Sequence, residues 1–132
     1  MNKIQTVLIL DDEEEFLEGT SELLELYGYF TITCKNIEEA CEKIKQMDQP
    51  PDAYLADAIA RDPETGVVLD FFTAKKLFLY LQKQKLNTEN FYIWTNHLSD
   101  EDIELADELG VKILNKTDWE YFKAIFPDKD EM

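Results

Sequence analysis

The chain has 132 residues, 13 of them Lys or Arg and 29 Asp or Glu, for a formal net charge of −16. That length suits one domain, and a hydrophobic content of 45% is enough for a single buried core. A field of this sign repels a phosphate backbone and excludes nucleic acid as a partner; the excess acid reads as a solubilising surface or as attraction toward a basic partner.

The pattern then alternates strand and helix five times. Thr6 to Leu10 is the first strand. Phe16, Thr20, Leu23, Leu24 and Tyr27 recur at helical spacing, and Gly28 closes that helix. Phe30 to Cys34, rich in β-branched and aromatic residues, reads as the second strand. Asn36 with Glu39 three residues on starts a helix whose apolar face is Ile37, Ala40, Cys41, Ile44 and Met47. Pro50-Pro51 ends that unit and leads into a third strand, Ala53 to Ala56.

A loop from Ala58 to Gly66 follows, with Asp62-Pro63 as its turn signal. Val67 to about Gln84 reads as an apolar-rich helix with Phe71, Ala74, Phe78 and Leu81 spaced for burial. Phe91 to Trp94 is the fourth strand. Ser99 with Asp102 starts a helix that Gly110 stops, and Val111 to Leu114 is the fifth strand. Thr117 and Glu120 form a capping box for a last short helix that Pro127 ends, and Asp128 to Met132 is an acidic tail expected to fray. The aromatic pair Phe71-Phe72 and Trp94 are expected in the core. Such βα alternation implies a parallel sheet with helices on both faces.

No apolar run approaches the roughly 20 residues of a membrane span, and Met1-Asn2-Lys3-Ile4 lacks the apolar region of a signal peptide. Membrane insertion is therefore not expected, and a cytoplasmic location is. Cys34 and Cys41, with the single His97 far away in sequence, give neither a zinc spacing nor a disulfide framework and read as reduced, partly buried thiols.

The informative residues stand at the strand ends. Asp11 and Asp12 follow strand one, Asp57 ends strand three, Thr95 ends strand four and Lys116 follows strand five. Each alone is ordinary, since Asp after a strand is commonly a turn or cap residue and a lone Lys a solvated charge. Together they put carboxylates, a hydroxyl and an ammonium on one rim, where ligands of a parallel α/β sheet bind. Three carboxylates there repel one another unless a cation holds them, and hard oxygen ligands suit Mg²⁺. The set points to phosphate chemistry.

This combination resembles the receiver domain of two-component response regulators, over nearly the whole chain. The motifs that carry the resemblance are Leu-Asp-Asp-Glu (10–13), Leu-Ala-Asp (55–57), Ile-Trp-Thr-Asn (93–96), Ile-Leu-Asn-Lys (113–116) and the turn Leu26-Tyr27-Gly28-Tyr29. The resemblance implies a single receiver domain over residues 1–132, ordered from about 4 to 126, with the flavodoxin-like doubly wound (βα)5 fold and strand order 2-1-3-4-5. It implies that Asp57 accepts a phosphoryl group from a sensor histidine kinase or a phosphotransfer protein. By position, Asp12 and Asp57 ligate Mg²⁺, Asp11 supports it, and the backbone carbonyl of Ile59 completes the metal site. Lys116 pairs with the phosphoryl oxygens and Thr95 turns inward to hydrogen-bond them. No enzymatic activity is implied beyond Mg²⁺-dependent self-phosphorylation and autodephosphorylation.

The sequence departs from the family's pattern in places. Asn96 stands where a small residue is usual, Thr117 replaces the Pro after the lysine, and Ile113 replaces the aromatic residue that swings with the threonine. An X-Thr cis bond costs about 2.5–4 kcal/mol, so the Lys116–Thr117 bond is expected trans. The stretch from Gly66 to Thr95 is longer than usual and predicts an extended third helix. His97, two residues past Thr95, reads as a solvated residue on the rim of the site. With no effector domain after Pro127, output is expected through a surface of this domain, onto a downstream protein target that the sequence does not name. The rival reading is a phosphorylation-independent pseudo-receiver interaction module. A Mg²⁺-dependent phosphohydrolase is third, and Asp11-Asp12-Glu13 lacks the Asp-x-Asp pair such enzymes use.

Overall fold

A computed structural model describes residues 4–58, 60–61, 64–65, 67–70, 73–95 and 99–131. In chain order the elements are β1 (Thr6–Leu10), α1 (Glu14–Leu26), β2 (Phe30–Cys34), α2 (Ile37–Gln46), β3 (Ala53–Asp57), β4 (Ala60–Arg61), β5 (Val68–Asp70), α3 (Thr73–Lys83), β6 (Phe91–Thr95), α4 (Asp100–Leu109), β7 (Lys112–Asn115) and α5 (Trp119–Ile125). Five strands form one parallel sheet in the order β2-β1-β3-β6-β7, which is 2-1-3-4-5 counting sheet strands alone. This is the flavodoxin-like arrangement.

Period-two alternation divides each central strand between two cores. Leu8, Leu10, Tyr54, Ala56, Phe91 and Ile93 face α2, α3 and α4, where Ala40, Ile44, Leu77, Phe78 and Leu81 meet them. Val7, Ile9, Ala53, Leu55, Tyr92 and Trp94 face α1 and α5, against Leu17, Leu24, Phe122 and Phe126. Each buried Leu, Ile or Phe contributes roughly 1.5–3 kcal/mol from removal of apolar surface from water. Trp94 is fully buried, as expected, with its ring 6.0 Å from that of Phe122. Cys34 is a buried free thiol, pushed up to about 12 by burial, and Cys41 is a partly buried one.

Three local expectations need correction. Ala60–Arg61 and Val68–Asp70 do not lengthen α3 but make the antiparallel pair β4–β5, and α3 runs from Thr73 rather than from Val67. Val67-Val68-Leu69 is an apolar run that fits a strand or a helix equally well by periodicity, and its β-branched residues favour the strand. Asp62, Pro63, Gly66, Phe71 and Phe72, for which the sequence gives a turn and core positions, lie outside the described residues. Secondly, Asp118 caps α5 by accepting from Tyr121 N at 3.1 Å, whereas Thr117 turns back to Asn115 Oδ1, which its N–H and hydroxyl both reach, at 2.9 and 2.7 Å. No peptide bond between described residues is cis, as expected for Thr117.

Thirdly, the acidic tail is tied down. Lys129–Glu131 forms a 3₁₀ turn, Lys129 N donates to Tyr27 O at 2.9 Å, and Tyr29 donates its hydroxyl to Pro127 O at 2.7 Å. The Lys129 ammonium sits 4.5 Å from the centre of the Tyr29 ring. Gly28 makes this docking possible. Its φ is +99°, and a Cβ there would lie 3.2 Å from Lys129 Cβ and Cδ. Gly28→Ala should therefore cost about 1–2 kcal/mol, read from the urea midpoint, and speed amide exchange at Lys129. An unchanged midpoint would show that the turn and the tail adapt freely.

Candidate functional site

The parallel register delivers the chemically active residues to one end of the sheet. Leu10 pairs with Ala56, Asp57 with Trp94, and Thr95 with Asn115, so Asp11, Asp57, Thr95 and Lys116 all emerge at the carboxyl rim. Asp11 is anchored first: its N–H donates to Cys34 O at 3.0 Å, and its Oδ1 accepts from Glu13 N at 2.9 Å, a turn that launches α1. Lys116 is anchored at its backbone, where its N–H donates to Thr95 O at 2.7 Å.

At the centre lies the Lys116 ammonium. It is 2.7 Å from Asp11 Oδ2 and 3.5 Å from Asp57 Oδ2, with Lys116 and Asp11 buried and the Asp57 side chain 15% exposed. The Phe16 ring lies 4.9 Å from Lys116 Nζ and the Trp94 ring 6.0 Å, adding cation–π attraction. Burial pulls the ammonium down from its ordinary pKa, but Asp57 and Asp11 together outweigh burial and hold it above that value. Lys116 is thus a fixed positive charge at neutral pH.

Asp12 joins Asp11 and Asp57, and carboxylate oxygens of the three lie within 4.8 Å of one another. One ammonium against three carboxylates leaves an excess of two negative charges, which a divalent cation balances. Asp57 and Asp12, both partly exposed, are the members open to an incoming group.

Thr95 reaches the rim by register but is buried, and its hydroxyl donates to Asp102 Oδ2 at 3.1 Å. Asp102 is the residue that sequence reasoning missed as part of the site. Its capping role was legible, because Ser99 and Asp102 form the box that starts α4. The missed signal was that a box opening four residues after Thr95 can turn its carboxylate toward the strand end. Ile59, Asn96 and His97 lie outside the described residues.

By sequence, the chain matches no family model and no curated protein. By structure, it superposes on the chemotaxis response regulator CheY4 of Vibrio cholerae with a TM-score of 0.70 and 18% identity, covering 93% of this chain and 99% of that one. A two-component response regulator from Clostridium difficile gives 0.68 and 20%, over 92% and 94%. The non-phosphorylated HemR receiver domain from Leptospira biflexa gives 0.66 and 22%, over 92% and 90%. The chain has the response-regulator receiver fold. At these identities the agreement is one of backbone path, shared over almost the full length of both partners.

Within this receiver fold the ion pair has a structural consequence. Removing one member of a buried charge cluster leaves the others uncompensated, at a cost of about 3–5 kcal/mol. Lys116→Met should lose stability of that order at pH 7 in urea unfolding, and adding Asp11→Asn should restore part of it. Because the folded state holds the Lys116 pKa above 10.5, this contribution is complete below that pH and fades as pH rises through the folded value. The gap between wild type and Lys116→Met should therefore narrow above about pH 10.5. A gap that widens there would show that the ammonium is not the stabilising form.

Proposed function

We propose that this protein is a phosphoryl-accepting receiver, with Asp57 as acceptor and a sensor histidine kinase or phosphotransfer protein as donor. The observation that carries the reading is Asp57 Oδ2, partly open to solvent, 3.5 Å from a buried ammonium and grouped with Asp11 and Asp12 at the carboxyl rim of a receiver fold. A carboxylate in that position can attack phosphorus: the new O–P bond forms as the P–N bond of a phosphohistidine breaks, and the imidazole leaves with the bonding pair. Catalysis is then positioning and electrostatic stabilisation, and no further enzymatic activity is assigned.

The proposed roles are these. Lys116, already charged and desolvated, meets the phosphoryl oxygens without reorganisation. Asp12 and Asp57, with Asp11 in support and the backbone carbonyl of Ile59, would hold Mg²⁺, which when bound neutralises charge on those oxygens. The three carboxylates and their excess negative charge support that assignment. Thr95 supplies a hydroxyl to the phosphoryl group, and output goes to a downstream protein through a surface of this domain. No described helix is long and apolar enough to cross a membrane. The location that goes with this reading is cytoplasmic.

Incubation with acetyl phosphate and Mg²⁺ should add one phosphoryl mass to the wild type and none to Asp57→Asn, by intact mass spectrometry. Equal labelling of the two would sink the assignment of Asp57. No labelling of a wild type that binds Mg²⁺ would favour the phosphorylation-independent interaction module instead.

The metal role has its own test. Mutual repulsion of the carboxylates destabilises the metal-free protein, so Asp12→Asn should weaken Mg²⁺ binding yet raise the metal-free Tm by about 4 °C for about 1 kcal/mol relieved. Wild type should gain stability on adding Mg²⁺ by simple mass action. Unchanged Mg²⁺ affinity in Asp12→Asn would remove Asp12 from the ligand set.

A further inference from the structure

We infer that Asp102 is a positioning residue that governs the switch hydroxyl, by competing with the phosphoryl group for the single proton of Thr95. This rests on the reading of Asp57 as acceptor and goes beyond it, to what holds the site in its resting state.

The contact is built rather than incidental. Thr95 is 6% exposed and Asp102 4% exposed, and the hydroxyl donates to Oδ2 at 3.1 Å. A threonine hydroxyl has one proton to donate. A carboxylate is a strong, charge-assisted acceptor for it. When the hydroxyl turns to a phosphoryl oxygen on Asp57, Asp102 gives up that bond. The resting state therefore has a defined opponent to activation.

The same carboxylate oxygen also accepts Ser99 N–H at 3.3 Å, and Asp102 N–H donates to Ser99 Oγ at 3.2 Å. Ser99 O in turn accepts from Ile103 N at 3.2 Å. Asp102 thus belongs at once to the end of β6 and to the cap of α4. Withdrawal of the Thr95 proton leaves a buried carboxylate short of a donor, and the first turn of α4 must rearrange to compensate. The signal leaves through Ser99–Asp102–Ile103. It does not need Ile113, which is aliphatic, partly buried and packed against the α2–α3–α4 core.

Beryllofluoride with Mg²⁺ is the probe, titrated calorimetrically into the full chain. Asp102→Ala should bind it at least about fivefold more tightly than wild type, about 1 kcal/mol. Asp102→Asn keeps an acceptor oxygen without the charge and should fall between. Ser99→Ala breaks the cap without touching Thr95 and should leave affinity within about twofold of wild type while lowering Tm. In a Thr95→Val background, Asp102→Ala should give no gain, a dependence that a merely structural role would not show. If Asp102→Ala does not fold, Asp102→Asn completes the same cycle.

In wild type, beryllofluoride should shift backbone amides of Ser99 to Ile103 and, apart from the loop at Lys116 that meets the probe, leave Val111 to Phe126 nearly unmoved. Wild type that takes no beryllofluoride would overturn the acceptor reading itself. Wild type that binds it, with Asp102 variants no tighter or equally tighter without the Thr95 hydroxyl, would overturn the role of Asp102 alone. Shifts over Val111 to Phe126, outside that loop, as large as those in α4 would overturn the route.

Discussion

One buried ammonium organises this molecule. Burying the charge of Lys116 would cost several kcal/mol if it were unpaired, and the chain answers with Asp11 at 2.7 Å and Asp57 at 3.5 Å. Those three residues come from the ends of β1, β3 and β7, so the ion pairs cross the sheet from its centre to its edge strand. Their distances are set by strand register, which the two apolar cores lock, because a slip of one residue would exchange the two faces. The site and the fold therefore share one constraint. Packing errors under the sheet would misplace charges on its rim, and loss of a rim charge would weaken the sheet.

That local arrangement matters more because the protein as a whole is so acidic. A net charge of −16 disfavours the approach of any phosphorylated donor. The rim offsets this with a charge that cannot be lost at neutral pH, since Asp57 and Asp11 overcome the effect of burial on Lys116. The remaining excess of two negative charges at Asp11, Asp12 and Asp57 is the complement of a divalent ion. The long-range field and the short-range site thus have opposite preferences. Such a field favours a donor that docks specifically, while a small anionic donor such as acetyl phosphate must reach the rim against the net charge by concentration alone.

The sheet was legible because its signals are local. Apolar runs such as Val7 to Leu10 and Tyr54 to Ala56 mark buried strands, and Asn36, Ser99 and Gly110 mark helix ends through contacts within a few residues. The rim residues were legible for the same reason, as each directly follows a strand. The β4–β5 pair was not, because its identity lies in pairing between Ala60–Arg61 and Val68–Asp70, and strands of two and three residues are too short to show a period. The cap of α5 failed for a subtler cause. Thr117 and Asp118 are both good caps, and Asn115 captured the threonine first. The tail failed because what holds it, Tyr27 O and the Tyr29 ring, is about a hundred residues away in sequence. Asp102 escaped notice because its part in the Ser99 box was already a complete explanation of it.

The asymmetry between Thr95 and Lys116 decides how information can leave the site. Both sit at the rim, and they are joined, with Lys116 N–H bonded to Thr95 O at 2.7 Å and Thr95 in register with Asn115. Moving either backbone would break ladder bonds between β6 and β7. Turning the Thr95 hydroxyl breaks its bond to Asp102 Oδ2 and moves the side chain only between staggered positions. The least costly displacement is therefore a side-chain rotation, and its partner is on α4 rather than on β7. An aromatic residue at position 113 would couple that rotation to the edge strand by filling or vacating space, whereas Ile113 is a smaller aliphatic side chain packed against the core. The ladder ties β6 to β7, and the helix cap that shares a carboxylate oxygen with Thr95 is the element such a rotation would disturb first.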